Sequence, residues 1–345
     1  MAMSEVASSL KLAARPRAAI IVPAYGVAHL VGEALDSVLA QTMPDWECVV
    51  VDDGAPDDVA GAVAPYLADP RIRFLATSNG GVGAARNRAI AATTAPFLVL
   101  LDGDDRLKPD YLAHTVARME SDPTLCLATV NAVIFGAVPQ ERLCFEGKQG
   151  NTDGLHGTLV EVLDRSFGVY IGTTFRRTEF DKTPGFDPTF THCEDFDMWV
   201  RLMQLGGRAG YVDHVLGEYR VRANSASASR EKMLRGNLRV YDKAIASLPP
   251  ASPEWALATR LAQETQQAID FEHAMDRVID GDTAGGLAAL RKVKAEVGGP
   301  VWSIAFALWS VVPALARPML TWRRRAHSRG GSEGGLHSLL SSSPL

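Results

Sequence analysis

The residues with the greatest chemical potential are the acids of Asp102-Gly103-Asp104-Asp105, which follow the apolar run Phe97-Leu98-Val99-Leu100-Leu101. Carboxylates two apart at a strand end point the same way, so Asp102 and Asp104 can reach one hard cation. Mg²⁺ or Mn²⁺ is commonly held so, with water and substrate phosphates completing the shell. A solvated Asp-rich turn explains the four residues equally well. Their place after a wholly apolar strand favours the metal. Asp52-Asp53-Gly54 has the same context. One carboxylate there could accept from a ribose hydroxyl or a base N–H, or only cap a turn; on its own the turn is favoured. The stretch from Asn79 through Gly80, Gly81, Gly83 and Arg86 to Asn87 is a glycine-rich loop entering a helix. Its N–H groups could face an anion and Arg86 a phosphate, although helix–strand packing explains the glycines equally. It matches neither the P-loop nor G-x-G-x-x-G. Glu194-Asp195 opens a helix, where capping is the stronger reading on spacing and a general base the functional one. His192 and Cys193 beside them lack a third partner in sequence, and no G-x-S-x-G elbow exists.

These groups need a scaffold, and the hydrophobic pattern supplies one. Ala18-Ala19-Ile20-Ile21-Val22-Pro23, Cys48-Val49-Val50-Val51, 72–75 and 97–101 read as strands buried on both faces. Helices are expected over 27–41, 58–67, 83–92 and 109–120, the last with proline in its first turn. Strands and helices alternate through short loops, which predicts repeated βαβ units. Every polar cluster then follows a strand, at the carboxyl edge where open parallel sheets bind ligands. Further strands are expected at 125–135, 169–175 and 216–221, and a helix at 196–205. The segment 136–157 is loop-rich. Beyond 226 the pattern turns helical, over 233–248, 255–279 and 283–297.

Composition bounds the function. The chain has 345 residues, 35 Lys and Arg against 40 Asp and Glu, and a net charge of −5, so a nucleic-acid-holding role is not expected. Cys48, Cys126, Cys144 and Cys193 form no C-x-x-C pair, which argues against zinc or a disulfide scaffold and fits a reducing compartment. Residues 1–14 contain no sustained apolar run, so no secretory signal is expected there.

In order, the motifs resemble those of the family 2 glycosyltransferases, inverting enzymes with the GT-A nucleotide-diphospho-sugar fold. The resembling residues are Val22-Pro23-Ala24-Tyr25, the segment 34–42, Val50-Val51-Asp52-Asp53-Gly54, the loop from Asn79 to Asn87, and Leu101-Asp102-Gly103-Asp104-Asp105. Gly185-Phe186-Asp187 and Glu194-Asp195-Phe196-Asp197-Met198-Trp199 follow, and the similarity covers about 18–225. The resemblance implies an α/β fold with a Rossmann-like sheet, a UDP-linked nucleotide-sugar donor, Mg²⁺ or Mn²⁺, and a glycan or lipid-linked acceptor in polysaccharide or glycoconjugate synthesis. By the same resemblance Pro23, Ala24 and Tyr25 flank the nucleotide, and Asp53 or Asp52 reads the base. Asn79, Gly83 and Arg86 bind the donor. Asp102, Gly103 and Asp104 form the D-x-D element, with Asp105 adjoining, and hold ribose and metal. Asp195, paired with Glu194, is the implied base, and Trp199 shapes the acceptor side.

Two departures qualify the expectation. Family members often carry Tyr-Arg-x-His after the last strand; here it is Tyr219-Arg220-Val221-Arg222. Arg222 can clamp a diphosphate but cannot ligate a metal, which predicts weaker metal dependence. The Gln-x-x-Arg-Trp of processive synthases is absent, which predicts transfer of one or a few sugars. A sugar-phosphate nucleotidyltransferase and an inactive nucleotide-sugar binding module are the alternatives. The expected division is a flexible 1–17, a GT-A domain over 18–225, a helical extension over 226–326 and a disordered 327–345. Residues 301–316 are uncharged and followed by Arg317 and Arg323 to Arg325. A helix there reaches only about 24 Å, short of the roughly 30 Å hydrocarbon core, and Pro313 weakens it. A helix lying in a membrane interface and one packed on neighbours or a second copy are equal expectations, with cytoplasmic placement either way.

Overall fold

The structure, a computed structural model, describes residues 15–145, 154–170, 172–222, 230–297 and 300–329. Four parallel strands open it: β1 (Ala18–Ala24), β2 (Trp46–Asp53), β3 (Ile72–Thr77) and β4 (Phe97–Leu100). The helices between them are α1 (Val31–Leu39), α2 (Val59–Val63) and α3 (Val82–Ala91). The sheet continues with β5 (Arg106–Leu107), α4 (Tyr111–Ser121), β6 (Leu125–Gly136), β7 (Arg142–Leu143), β8 (His156–Gly157), α5 (Leu159–Leu163) and β9 (Thr174–Arg176). Then come α6 (Arg177–Phe180), α7 (Glu194–Gln204) and β10 (Arg208–Val221). The strand order is β3-β2-β1-β4-β9-β6-β10-β5, with β7 on β6 and β8 on β10. β9 runs antiparallel to both β4 and β6, so the second half of the sheet is mixed.

Alternation along β1 explains the burial. Ala19 and Ile21 enter the core beneath α3 and α7, whereas Ala18, Ile20 and Val22 enter the core beneath α1 and α4. A strand covered on both faces must be apolar throughout, which is why β1, β2 and β4 were legible as continuous runs.

Two elements differ from expectation. β10 begins at Arg208 rather than 216, because register shifts against β6 around Val215 leave Asp213 and His214 exposed and break the apolar run. β9 is three residues long and overlaps only the end of the expected 169–175 strand, running on to Arg176. The loop-rich segment also hides α5, whose Thr158 and Glu161 form a capping box with Glu161 N donating to Thr158 Oγ1 at 3.3 Å.

The C-terminal helices are α8 (Arg230–Ser247), α9 (Pro253–Ile279), α10 (Thr283–Val297), α11 (Pro300–Val311) and α12 (Ala316–Arg329). The 225 boundary divides the sequence but not the packing. Val240, Tyr241 and Ala244 of α8 and Leu257 and Leu261 of α9 share one core with Phe196 and Trp199. Phe271, Met275, Leu290, Trp302, Phe306 and Trp309 build a separate core between α9, α10 and α11. Pro313 ends the apolar helix early: a short 3₁₀ turn at Pro313–Leu315 precedes α12. Among the described residues no helix is long and apolar enough to cross a membrane. The expected flexible start and disordered tail fall mostly on 1–14 and 330–345, outside the described residues.

Candidate functional site

A cleft of about 370 Å³ opens at the carboxyl edge of the parallel strands. Pro23, Ala24 and Tyr25 leave β1 on one wall, and Asp53, Asn79 and Gly81 stand beside them. Asp102, Gly103 and Asp104 follow β4, while Glu194 and Asp195 enter from α7 and Arg222 from the end of β10. Tyr25 lines the cleft and is 53% exposed.

The glycine loop is shaped by Asp53, which is buried. Gly80 N donates to its Oδ1 at 2.9 Å, Gly81 N to its Oδ2 at 2.8 Å, and Arg88 pairs with it at 3.1 Å. Gly54 must be glycine: its φ is +66°, and a Cβ there would meet Asn79 N at 2.7 Å. Gly103 allows a similar approach, since a Cβ would lie 3.0 Å from Val27 and 3.2 Å from the Pro23 carbonyl oxygen.

Arg86 joins the two acidic elements. It is 1% exposed and donates to Glu194 Oε1 at 2.7 Å and to Asp102 Oδ1 at 2.8 Å. Burial works against its charge, but Asp102 and Glu194 outweigh this and raise its pKa further. Burial raises the Glu194 carboxyl in turn, and Arg86 opposes that rise. Asp195 differs. Half-buried in the cleft, its carboxylate has no hydrogen-bond or ion-pair partner among the described residues. The preceding Cys193 sits at φ +63°, a left-handed turn that sets Glu194 and Asp195 at the head of α7. Burial pushes the Cys193 thiol up to about 12, so it is no nucleophile.

Asp104 pairs with Arg222 Nε at 2.7 Å. Burial and the neighbouring Asp102 raise its pKa, and Arg222 counters this. Among the described residues no cluster of three His, Cys, Asp or Glu could hold a metal. Asp104 and Asp102 nonetheless fit a divalent cation bound through one or two carboxylates, with phosphate and water as the other ligands.

Several expected positions need correction. Asp105 is fully buried, with Oδ1 accepting from Arg220 N at 2.7 Å, and does not line the cleft; a metal cannot be reached from there. Asp52 is spent locally, accepting from Ala55 N at 2.8 Å, and is likewise outside the cleft. Gly83 packs under the Asp187 carbonyl, 3.3 Å from where its Cβ would stand, so it serves helix packing. Trp199 is buried against Phe175, with ring centroids 5.4 Å apart, and cannot touch an acceptor. Arg86 is held at both ends by carboxylates rather than offered to a phosphate. Sequence reasoning missed Val27, Ala85, Thr191, Tyr219, Arg220 and Met233, which also line the cleft. Of these, Tyr219 and Arg220 carried a signal as part of the motif after the last strand, and Ala85 as part of the loop from Asn79 to Asn87.

The profile described as Glycosyl transferase family 2 matches residues 19–180. The chain is 27% identical to the chondroitin synthase of Escherichia coli over 197 residues, covering 55% of this chain but only 27% of that protein. Among solved structures, S. aureus TarS 1–349 in complex with UDP-GlcNAc superposes with a TM-score of 0.58 at 16% identity, covering 90% of this chain and 92% of that one. The mannosyltransferase PcManGT from Pyrobaculum calidifontis, in complex with GDP-Man and Mn²⁺, gives a TM-score of 0.58 at 21% identity, covering 89% and 83%. These two likenesses concern the fold, which is GT-A. Over residues 19–180, just under half of its length, the chain is similar to the family 2 glycosyltransferases.

Proposed function

We propose that the protein is an inverting glycosyltransferase that moves a sugar from a UDP-linked donor to a hydroxyl of a glycan or lipid-linked acceptor during polysaccharide or glycoconjugate assembly. One observation carries the reading. The unengaged carboxylate of Asp195 shares a cleft with Asp102 and Asp104, which come from a distant part of the chain, and Arg86 links the two elements. In a single displacement the acceptor oxygen attacks the anomeric carbon from the face opposite its bond to the leaving diphosphate, so acids on two walls are what the reaction needs.

In this reading Tyr25 offers its exposed face to the base, and Pro23 and Ala24 border it. Asp53 acts through the loop it holds, fixing Asn79 and Gly81 beside the donor. Asp102 meets the ribose, and Asp104 with Asp102 would hold Mg²⁺ or Mn²⁺. Such an ion, when bound, supplies positive charge for the departing diphosphate. Arg222 already supplies a cation at Asp104 and suits the same diphosphate. Asp195 takes the proton from the acceptor hydroxyl, and Glu194 positions Arg86. The UDP-GlcNAc held by TarS supports a UDP donor, and the GDP-Man and Mn²⁺ held by PcManGT support the nucleotide-sugar class and the metal.

NMR of the product formed from an α-linked UDP-sugar tests the proposal. A β-linked product is expected. An α-linked product, or consumption of GDP-sugars alone, would refute inversion or the UDP assignment respectively. Release of pyrophosphate from a nucleoside triphosphate would instead favour the nucleotidyltransferase alternative.

A further inference from the structure

We infer that the outer face of α11 and α12 is a docking surface for anionic lipid, seating the protein on a membrane without crossing it. The inner face of α11 is spent on the core, where Trp302, Phe306 and Trp309 pack against α9 and α10. Its outer face is still apolar. Ile304 is 70% and Val311 80% exposed, and Leu308, Val312 and Leu315 are exposed beside them. Ile304, Leu308 and Val311 recur at helical spacing, so they form one stripe. A stripe left in water at that exposure marks an interaction site.

Charge identifies the occupant. The chain carries a net charge of −5, yet 300–329 contains Arg317, Arg323, Arg324, Arg325 and Arg329 and no Asp or Glu. Arg317 lines a shallow depression together with Pro318, Thr321 and Trp322, and Trp322 is 57% exposed. Three of these cations also serve the protein: Arg324 pairs with Asp276, Arg323 lies over the Phe271 and Trp302 rings, and Arg317 Nε donates to the Ile279 carbonyl oxygen at 2.9 Å. An exposed aliphatic stripe that leads into an aromatic and basic helix, free of acids, matches the boundary between acyl chains and anionic headgroups. α11 spans about 18 Å, enough to lie in that boundary and too short to traverse it.

The test is co-sedimentation of the full chain with vesicles of phosphatidylcholine alone or with 30% phosphatidylglycerol. The chain is expected to pellet with the anionic vesicles at low salt, at least fivefold more than with the neutral ones, and to be released at high ionic strength. The doubly substituted Ile304→Ser, Val311→Ser chain, altered only at exposed positions, should lose most of that binding while keeping its melting temperature and its donor turnover. The single Arg317→Glu chain should weaken it several-fold. The inference is overturned if the wild type stays in the supernatant with both vesicle types, or if the variants pellet like the wild type. It is also overturned if sizing shows a wild-type dimer that the serine variant converts to monomer, since a second copy would then cover the stripe. Donor turnover is read separately, so failure here leaves the proposed activity standing.

Discussion

Arg86 shows what one side chain can do for a cleft. A guanidinium removed from water costs several kcal/mol unless its partners are well placed, and here Asp102 and Glu194 hold it at 2.8 and 2.7 Å. Removing it by Arg86→Ala leaves two close carboxylates facing each other. A loss of about 3–5 kcal/mol is expected, read from chemical denaturation, and Arg86→Lys should recover part of that stability but little activity. If Arg86→Lys matched the wild type in turnover, the guanidinium would not be setting the geometry. Arg222 makes a second case, because its guanidinium occupies Asp104 at 2.7 Å. Arg222→Ala should deepen the dependence of turnover on added Mn²⁺, seen as a larger loss on chelation than the wild type suffers. The acids at 102, 104 and 195 were legible in the sequence because each follows a strand or opens a helix. The Arg86–Glu194 pair was not, since 108 residues separate the partners and only the fold brings them together.

Elements hold these side chains, and one junction is sensitive to pH. Asp187 lies in the loop before α7 and pairs with Lys243 of α8 at 3.1 Å. Burial alone would raise its carboxyl, but hydrogen bonds from Thr189 and Lys243 win and lower it to about 2. A depressed carboxyl contributes stability above its unfolded pKa, and that contribution is lost as pH falls from about 4 through 2. Asp187→Asn should therefore cost about 1–2 kcal/mol near neutrality. The difference between the two chains should shrink as both are titrated towards pH 2, followed by denaturant unfolding at each pH. A constant difference would assign the cost to packing instead. The loop after β2 gives a second prediction. Gly54→Ala forces a Cβ against Asn79 N and strains φ, so about 1–3 kcal/mol and much of the donor affinity should be lost together. Fully apolar strands announced themselves in the sequence. β10 was half hidden because its bulge exposes Asp213 and His214, and β9 because three residues carry no period.

One of the cores ignores the boundary between the sheet and the helices. Phe196 and Trp199 are covered by Tyr241, Val240 and Leu257, so a chain ended at 225 would expose the back of α7. That chain is expected to aggregate, whereas one ended at 299 keeps this core; light scattering and circular dichroism distinguish them. The sequence marked the change in pattern at 226 but could not show that α8 packs on α7, because helix-to-helix contact depends on side-chain fit at sites such as Gly236. A Cβ there would stand 2.8 Å from Cys193 Sγ. This contact ties the helices to the turn that presents Asp195. The central claim is that Asp195 takes the acceptor proton while the acids after β4 hold the donor. It is tested most directly by measuring UDP-sugar affinity and transfer rate on the Asp195→Asn chain. Affinity within about twofold of the wild type and transfer slowed by at least about 10²-fold are predicted; transfer that persists at the wild-type rate would contradict the account.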